Sequence, residues 1–124
     1  MRKRIYIAGP ISKGDLLANI RQADAAFIRL LRAGFAPFCP HWSCFCGAVS
    51  NRVLETVGQA AQVMPEGTVH DDWMGTDLPW VAVSEAVLRL PGESVGADLE
   101  VKEAYQRGIP VYHSLNELLA TFTP

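Results

Sequence analysis

Two apolar runs in this chain break off in the same way, and that restricts its fold more than any other feature. Arg4-Ile5-Tyr6-Ile7-Ala8 stops at Gly9-Pro10, and Glu85-Ala86-Val87-Leu88-Arg89-Leu90 stops at Pro91-Gly92. Short runs that are apolar almost throughout are the mark of strands covered on both faces, here emptying into turns. A helical pattern follows each turn. From Asp15 to Ala33, Leu16, Ile20, Ala23, Phe27, Leu30 and Leu31 recur at helical spacing, with Arg21, Asp24, Arg29 and Arg32 largely opposite. Gly34 then takes the C′ position. After the second turn, Ser94 is placed to cap a helix from Val95 to Arg107 that ends before Gly108. Phe35 to Cys39 and Ile109 to Tyr112 read as two further strands. Leu115, Leu118, Leu119 and Phe122 mark a closing helix capped by Ser114 or Asn116. Strands alternating with helices predict an α/β domain, a doubly wound parallel sheet covered on both faces. Ligands of such sheets bind beyond the carboxyl ends of the strands.

The 124 residues suffice for a single domain, 1–124, with one core. Cys44 through Thr76 is the least readable stretch. Asn51 to Met64 has a helical pattern weakened by Gly58, Pro65-Glu66-Gly67 is a turn, and the whole could lid a site or simply connect. Asp71 to Ser84 reads as helical, in one piece or in two; Thr76 is the candidate cap of a second piece, because Pro79 is expected only in a first turn.

A net charge of −2 offers no broad attraction for nucleic acid or acidic membranes. No apolar run is long enough to span a bilayer, and Met1-Arg2-Lys3-Arg4 leads straight into a strand, so a cytoplasmic protein is expected. All three cysteines fall in Cys39-Pro40-His41-Trp42-Ser43-Cys44-Phe45-Cys46. Those ligands are too crowded to wrap one ion tetrahedrally, and no paired knuckle is present. The run reads as reduced thiols around a strand end, and no metal site is assigned.

The chemistry concentrates in Ser94-Val95-Gly96-Ala97-Asp98-Leu99-Glu100. Gly96 and Glu100 share a helix face one turn, about 5.4 Å, apart. Helical side chains lean toward the N-terminus, which brings the Glu100 carboxylate toward the anion-friendly end. An anion nest and a carboxylate a sugar's width away suggest a nucleoside or nucleotide site. Asp77, on the preceding helix, supplies a second carboxylate. Such a pair can cleave an N-glycosidic bond, one meeting the charge at C1′ and the other assisting the departing base. On residue type alone Asp71, Asp72, Glu93, Asp98 and Glu103 are nearly as eligible. The Gly9-Pro10-Ile11-Ser12-Lys13-Gly14 loop can approach a ligand closely.

A resemblance narrows the choice. Tyr6-Ile7-Ala8-Gly9-Pro10-Ile11-Ser12 resembles the opening signature of the nucleoside 2-deoxyribosyltransferase-like superfamily. Thr76-Asp77-Leu78-Pro79-Trp80, the stretch Glu85 to Glu100, Ala104 and Gly108-Ile109-Pro110-Val111 are similar to its second half in order and spacing. The chain most resembles a small bacterial and phage branch, and its Ser-x-Gly-x-x-x-Glu pattern also resembles the 2′-deoxynucleoside 5′-phosphate N-hydrolases. The resemblance implies Glu100 as nucleophile, Asp77 as the residue handling the base or its proton, and Tyr6 as the aromatic orienting nucleophile and sugar. It implies Ser94 and Gly96 as contacts to a 5′-phosphate or 5′-hydroxyl; Gly9 and the Ser12-Lys13-Gly14 loop are expected to join them, because a helix N-terminus, a hydroxyl and a lysine converge there. Glu85 stands where relatives often carry aspartate, and Thr76 where many carry arginine.

The expectation is therefore a Rossmann-like, flavodoxin-like enzyme acting on nucleosides or nucleoside 5′-monophosphates, as hydrolase or transferase. No cofactor is required, because the carboxylates supply the chemistry. The resemblance implies a homo-oligomer, for which Trp42, Trp73 and Trp80 could supply contacts. The alternatives are a nucleotide sensor of the same fold without turnover, and a partner-binding protein.

Overall fold

The computed structural model describes residues 1–45 and 70–124. The expected lid helix over Asn51 to Met64, the turn at Pro65-Glu66-Gly67 and Cys46 lie outside the described residues. Strands β1 (Arg4–Ala8), β2 (Ala36–Phe38), β3 (Ala86–Arg89) and β4 (Val111–Tyr112) form an all-parallel sheet in the order β2-β1-β3-β4. The helices are α1 (Leu16–Arg32), α2 (His70–Ala82), α3 (Val95–Gln106) and α4 (Leu115–Thr121), with a 3-10 segment over Pro40–Phe45.

Strand alternation sorts the core into two layers. Ile5, Ile7 and Leu88 point to one side, where they pack with Ala23, Ala26 and Leu30 of α1 and Leu118 of α4. Tyr6, Ala8 and Val87 point to the other, against Val81 of α2 and Ala97 and Ala104 of α3. Both faces of β1 and β3 are thus covered, which is why these strands read as continuous apolar runs.

The caps follow the sequence. Asp15 accepts from the amides of Leu17 and Ala18, Ser94 from Ala97, and Ser114 from Glu117. Asn116 instead accepts from Arg29. At the end of α1 the Gly34 amide donates to Leu31 and the Phe35 amide to Leu30, the paired bonds of a Schellman turn feeding β2. At the opposite edge from the strand ends, Arg4 grips Glu85 at 2.7 Å, and its hydrogen bonds hold the Glu85 carboxyl below its ordinary range. The glutamate at the start of the third strand therefore pins the sheet's N-terminal edge.

One expectation fails. Residues 70–82 form a single helix with Pro79 inside it, and Thr76 lies mid-helix rather than at a second start. Pro79 forfeits its bond to the Gly75 carbonyl, but packing of α2 against α3 and the burial of Val81 hold the helix through it.

Candidate active site

The site is assembled by two loops at the carboxyl ends of β1 and β3. They interlock. The Leu90 amide donates to the Ala8 carbonyl at 2.7 Å, and a Cβ on Gly9 would stand 3.0 Å from that of Leu90. Gly92 has φ +115°, and a Cβ there would lie 2.8 Å from Cγ of Pro10. Glycine at 92 thus permits both the left-handed turn and the close approach of the loops.

Three polar side chains fix these loops from behind. Asn19 donates to the carbonyls of Ile11 and Lys13 at 2.9 and 2.8 Å. His41, buried, donates from Nε2 to the Pro10 carbonyl at 2.8 Å, since a carbonyl can only accept. Burial pushes the His41 pKa down, against the Pro10 bond and the charge of Asp24, so the ring is neutral and Nδ1 accepts from the Cys39 thiol at 3.2 Å. In the crowded cysteine run, Cys39 and His41 hold the β1–α1 loop. Arg89, also buried, donates to the carbonyls of Leu90 and Gly92 and pairs with Asp98 at 3.1 Å.

Between the loops and α2 lies a cleft of about 310 Å³. Glu100 and Asp77 face into it, with Gly9, Ser12, Lys13, Ser94 and Gly96 along its sides. Tyr6 is wholly buried behind it, and its hydroxyl donates to Oε2 of Glu100, which is only 3% exposed. Gly14 does not line the cleft. Its φ of +84° turns the loop toward α1, with open space around it. Four of the five competing carboxylates separate, since Asp98 pairs with Arg89, Glu103 with Arg107 at 3.3 Å, and Asp71 and Asp72 are exposed on α2, whereas Glu93 lines the cleft.

Burial sets the electrostatics of Glu100 and Asp77. Burial pushes Glu100 up to about 8; the Tyr6 hydrogen bond and Arg89 oppose this, and the Asp77 charge adds to it. Burial alone lifts Asp77 to about 6. Tyr6 is driven far above its ordinary value, first by burial and then by the charges of Glu100 and Asp77, so it remains a donor. Two carboxyls with raised pKa values in one cleft are a recognised signature of acid–base or nucleophilic chemistry.

His70, Trp73 and Met74 also line the cleft, with Pro40. The first three escaped the sequence reading, although a signal existed. They precede Asp77 by seven, four and three residues, so on a continuous helix they share its face. Allowing a break in the helix at Thr76 hid that face. Trp73, expected at a subunit contact, is a half-buried wall of the cleft. Trp80 and Trp42 are exposed, and Trp80 stacks on Phe38, which stacks on Tyr6.

No family model and no curated protein matches the chain. Among solved structures, a 2-deoxyribosyltransferase from the psychrotolerant bacterium Bacillus psychrosaccharolyticus superposes with a TM-score of 0.58 at 18% identity. That match covers 87% of this chain and 69% of the other. A conserved protein from Enterococcus faecalis V583 gives 0.59 at 19% identity, over 90% of this chain and 62% of that one. The chain thus spans roughly two-thirds of the length of these structures, and its parallel sheet flanked by helices shares their fold.

Proposed function

We propose that this chain cleaves or exchanges the N-glycosidic bond of nucleosides or nucleoside 5′-monophosphates, with Glu100 as nucleophile. The observation that carries the reading is the buried Tyr6–Glu100 pair facing a cleft that also holds Asp77. Tyr6 engages Oε2 and leaves Oε1 of Glu100 to attack C1′ of the sugar. As the Glu100–C1′ bond forms, the bond to the base breaks, and the base leaves with a proton from Asp77. Water, or a second base, then attacks C1′ while giving its proton to Asp77; the Glu100–C1′ bond breaks and the Glu100 carboxylate is restored, giving hydrolysis or transfer respectively. At neutral pH the two carboxyls hold one proton between them; the higher value of Glu100 places it mainly there, and the reactive arrangement is the minor one with that proton on Asp77. Trp73 and Met74 offer apolar surface for a planar base. Likeness in fold to a 2-deoxyribosyltransferase agrees with this chemistry.

The test is release of free base from a panel of deoxynucleosides and their 5′-monophosphates. Glu100→Gln keeps the shape and removes the nucleophile, so turnover should fall by several orders of magnitude; Asp77→Asn should cost about 10²–10⁴. A 2-fluoro-2-deoxynucleoside should leave a sugar adduct on the wild type, seen by intact mass. Full activity in Glu100→Gln overturns the assignment. Binding of nucleosides without any turnover replaces it with the sensor reading.

A further inference from the structure

The part of the cleft that would take the sugar's 5′ position decides what that position carries. It is formed by the first turn of α3, Ser94 to Gly96, and by Ser12 and Lys13 of the facing loop. Amide and hydroxyl donors there serve a phosphate and a hydroxyl alike, so what separates the two is the net charge that a dianion meets. Among the described residues lining the cleft, Lys13 is the only lysine or arginine, and its Nζ lies 3.8 Å from Oε2 of Glu93. Glu93 lines the same cleft. The Ser94 hydroxyl oxygen accepts from the Ala97 amide at 3.1 Å and keeps its O–H as a neutral donor, while the nearby Arg89 guanidinium is engaged by two carbonyls and Asp98. Asp77 and Glu100 add acidic groups deeper in. A 5′-phosphate would therefore meet a lysine already neutralised and a carboxylate at close quarters, whereas a 5′-hydroxyl meets an acceptor and a donor.

We infer that the Lys13–Glu93 pair selects unphosphorylated nucleosides over nucleoside 5′-monophosphates, with Glu93 as the residue that turns the phosphate away. This rests on the nucleoside reading above and narrows its substrate class. Both side chains are largely exposed, so the discrimination weakens as salt screens it.

The experiment compares kcat/KM for base release from a deoxynucleoside and its 5′-monophosphate, with calorimetric binding of the same pair. Low-salt buffer keeps the exposed Lys13–Glu93 pair from being screened. The wild type should favour the nucleoside by about tenfold, the size of one short charge repulsion at a cleft edge. Glu93→Gln frees Lys13 and should shift the ratio several-fold toward the monophosphate, while Lys13→Gln should shift it the other way. A residue with a merely structural role would move both substrates together. Equal or better use of the monophosphate by the wild type, or shifts of the same sign in both variants, overturns the inference and leaves N-glycosidic chemistry standing. Tighter calorimetric binding of the monophosphate overturns it as well. No base release from either compound overturns the reading beneath it.

Discussion

At the residue scale, the site consists of two acids whose environments displace them by different amounts. With Asp77 at about 6 and Glu100 at about 8, the singly protonated pair dominates between those values. Base release should follow a bell with limbs near pH 6 and pH 8, measured as kcat/KM across the range. Tyr6→Phe removes a hydrogen bond that favours the charged glutamate, so the alkaline limb should move upward. The same displacement has a stability consequence of fixed sign. A carboxyl whose pKa is raised on folding binds its proton more tightly in the folded state. Stability is therefore greatest below the ordinary carboxylate value and is lost as pH rises through that value toward about 8. Glu100→Gln should raise Tm at pH 8 and raise it much less at pH 5. A uniform gain at both would disprove the electrostatic origin.

At the element scale, interlocked loops matter more than any single helix. Gly92→Ala adds a methyl 2.8 Å from Pro10 at a left-handed φ, with an expected cost of about 2–4 kcal/mol and a displaced α3 N-terminus. Gly75→Ala is the contrasting case: it lies mid-helix in α2 with nothing within 4 Å, and should stabilise by about 0.5–1 kcal/mol. Urea unfolding of both variants tests the two signs together. Opposite signs from the same chemical change would show that loop closure, rather than glycine content, limits this fold.

At the scale of the whole molecule, the sheet separates its duties. One layer, with α1 and α4, is a plain apolar core; the other carries Tyr6, and the cleft opens beside it under α2. Trp80 stands half exposed on α2 at the end of the Tyr6–Phe38–Trp80 stack, with Val83 also exposed. We propose that this surface meets a second copy of the chain, as the family resemblance implies. Sedimentation should give a mass that is a multiple of 13.6 kDa, and Trp80→Asp should shift it to lighter species. A wild type that stays monomeric at all concentrations refutes it. Among the described residues no helix is long and apolar enough to cross a membrane.

Local sequence was enough for the strands, the helix caps at Asp15, Ser94 and Ser114 and the direction of the sheet, because these depend on short-range patterns: apolar runs, caps, and glycines after helices. Asp15, Ser94 and Ser114 cap as their positions dictate, and Gly34 follows α1 as expected. It also pointed to Glu100, Asp77 and Tyr6, chiefly because the resemblance ranked otherwise equivalent acids. Tertiary structure alone decided the continuity of α2 through Pro79, since a lost backbone bond is outweighed only by packing that no local pattern records. It alone decided which acids are buried, and hence which have raised pKa values: desolvation depends on neighbours remote in the chain, as Tyr6 is from Glu100. The same holds for Lys13 and Glu93. They lie on loops far apart in sequence and form a pair only because Pro10 and Gly92 pack those loops together.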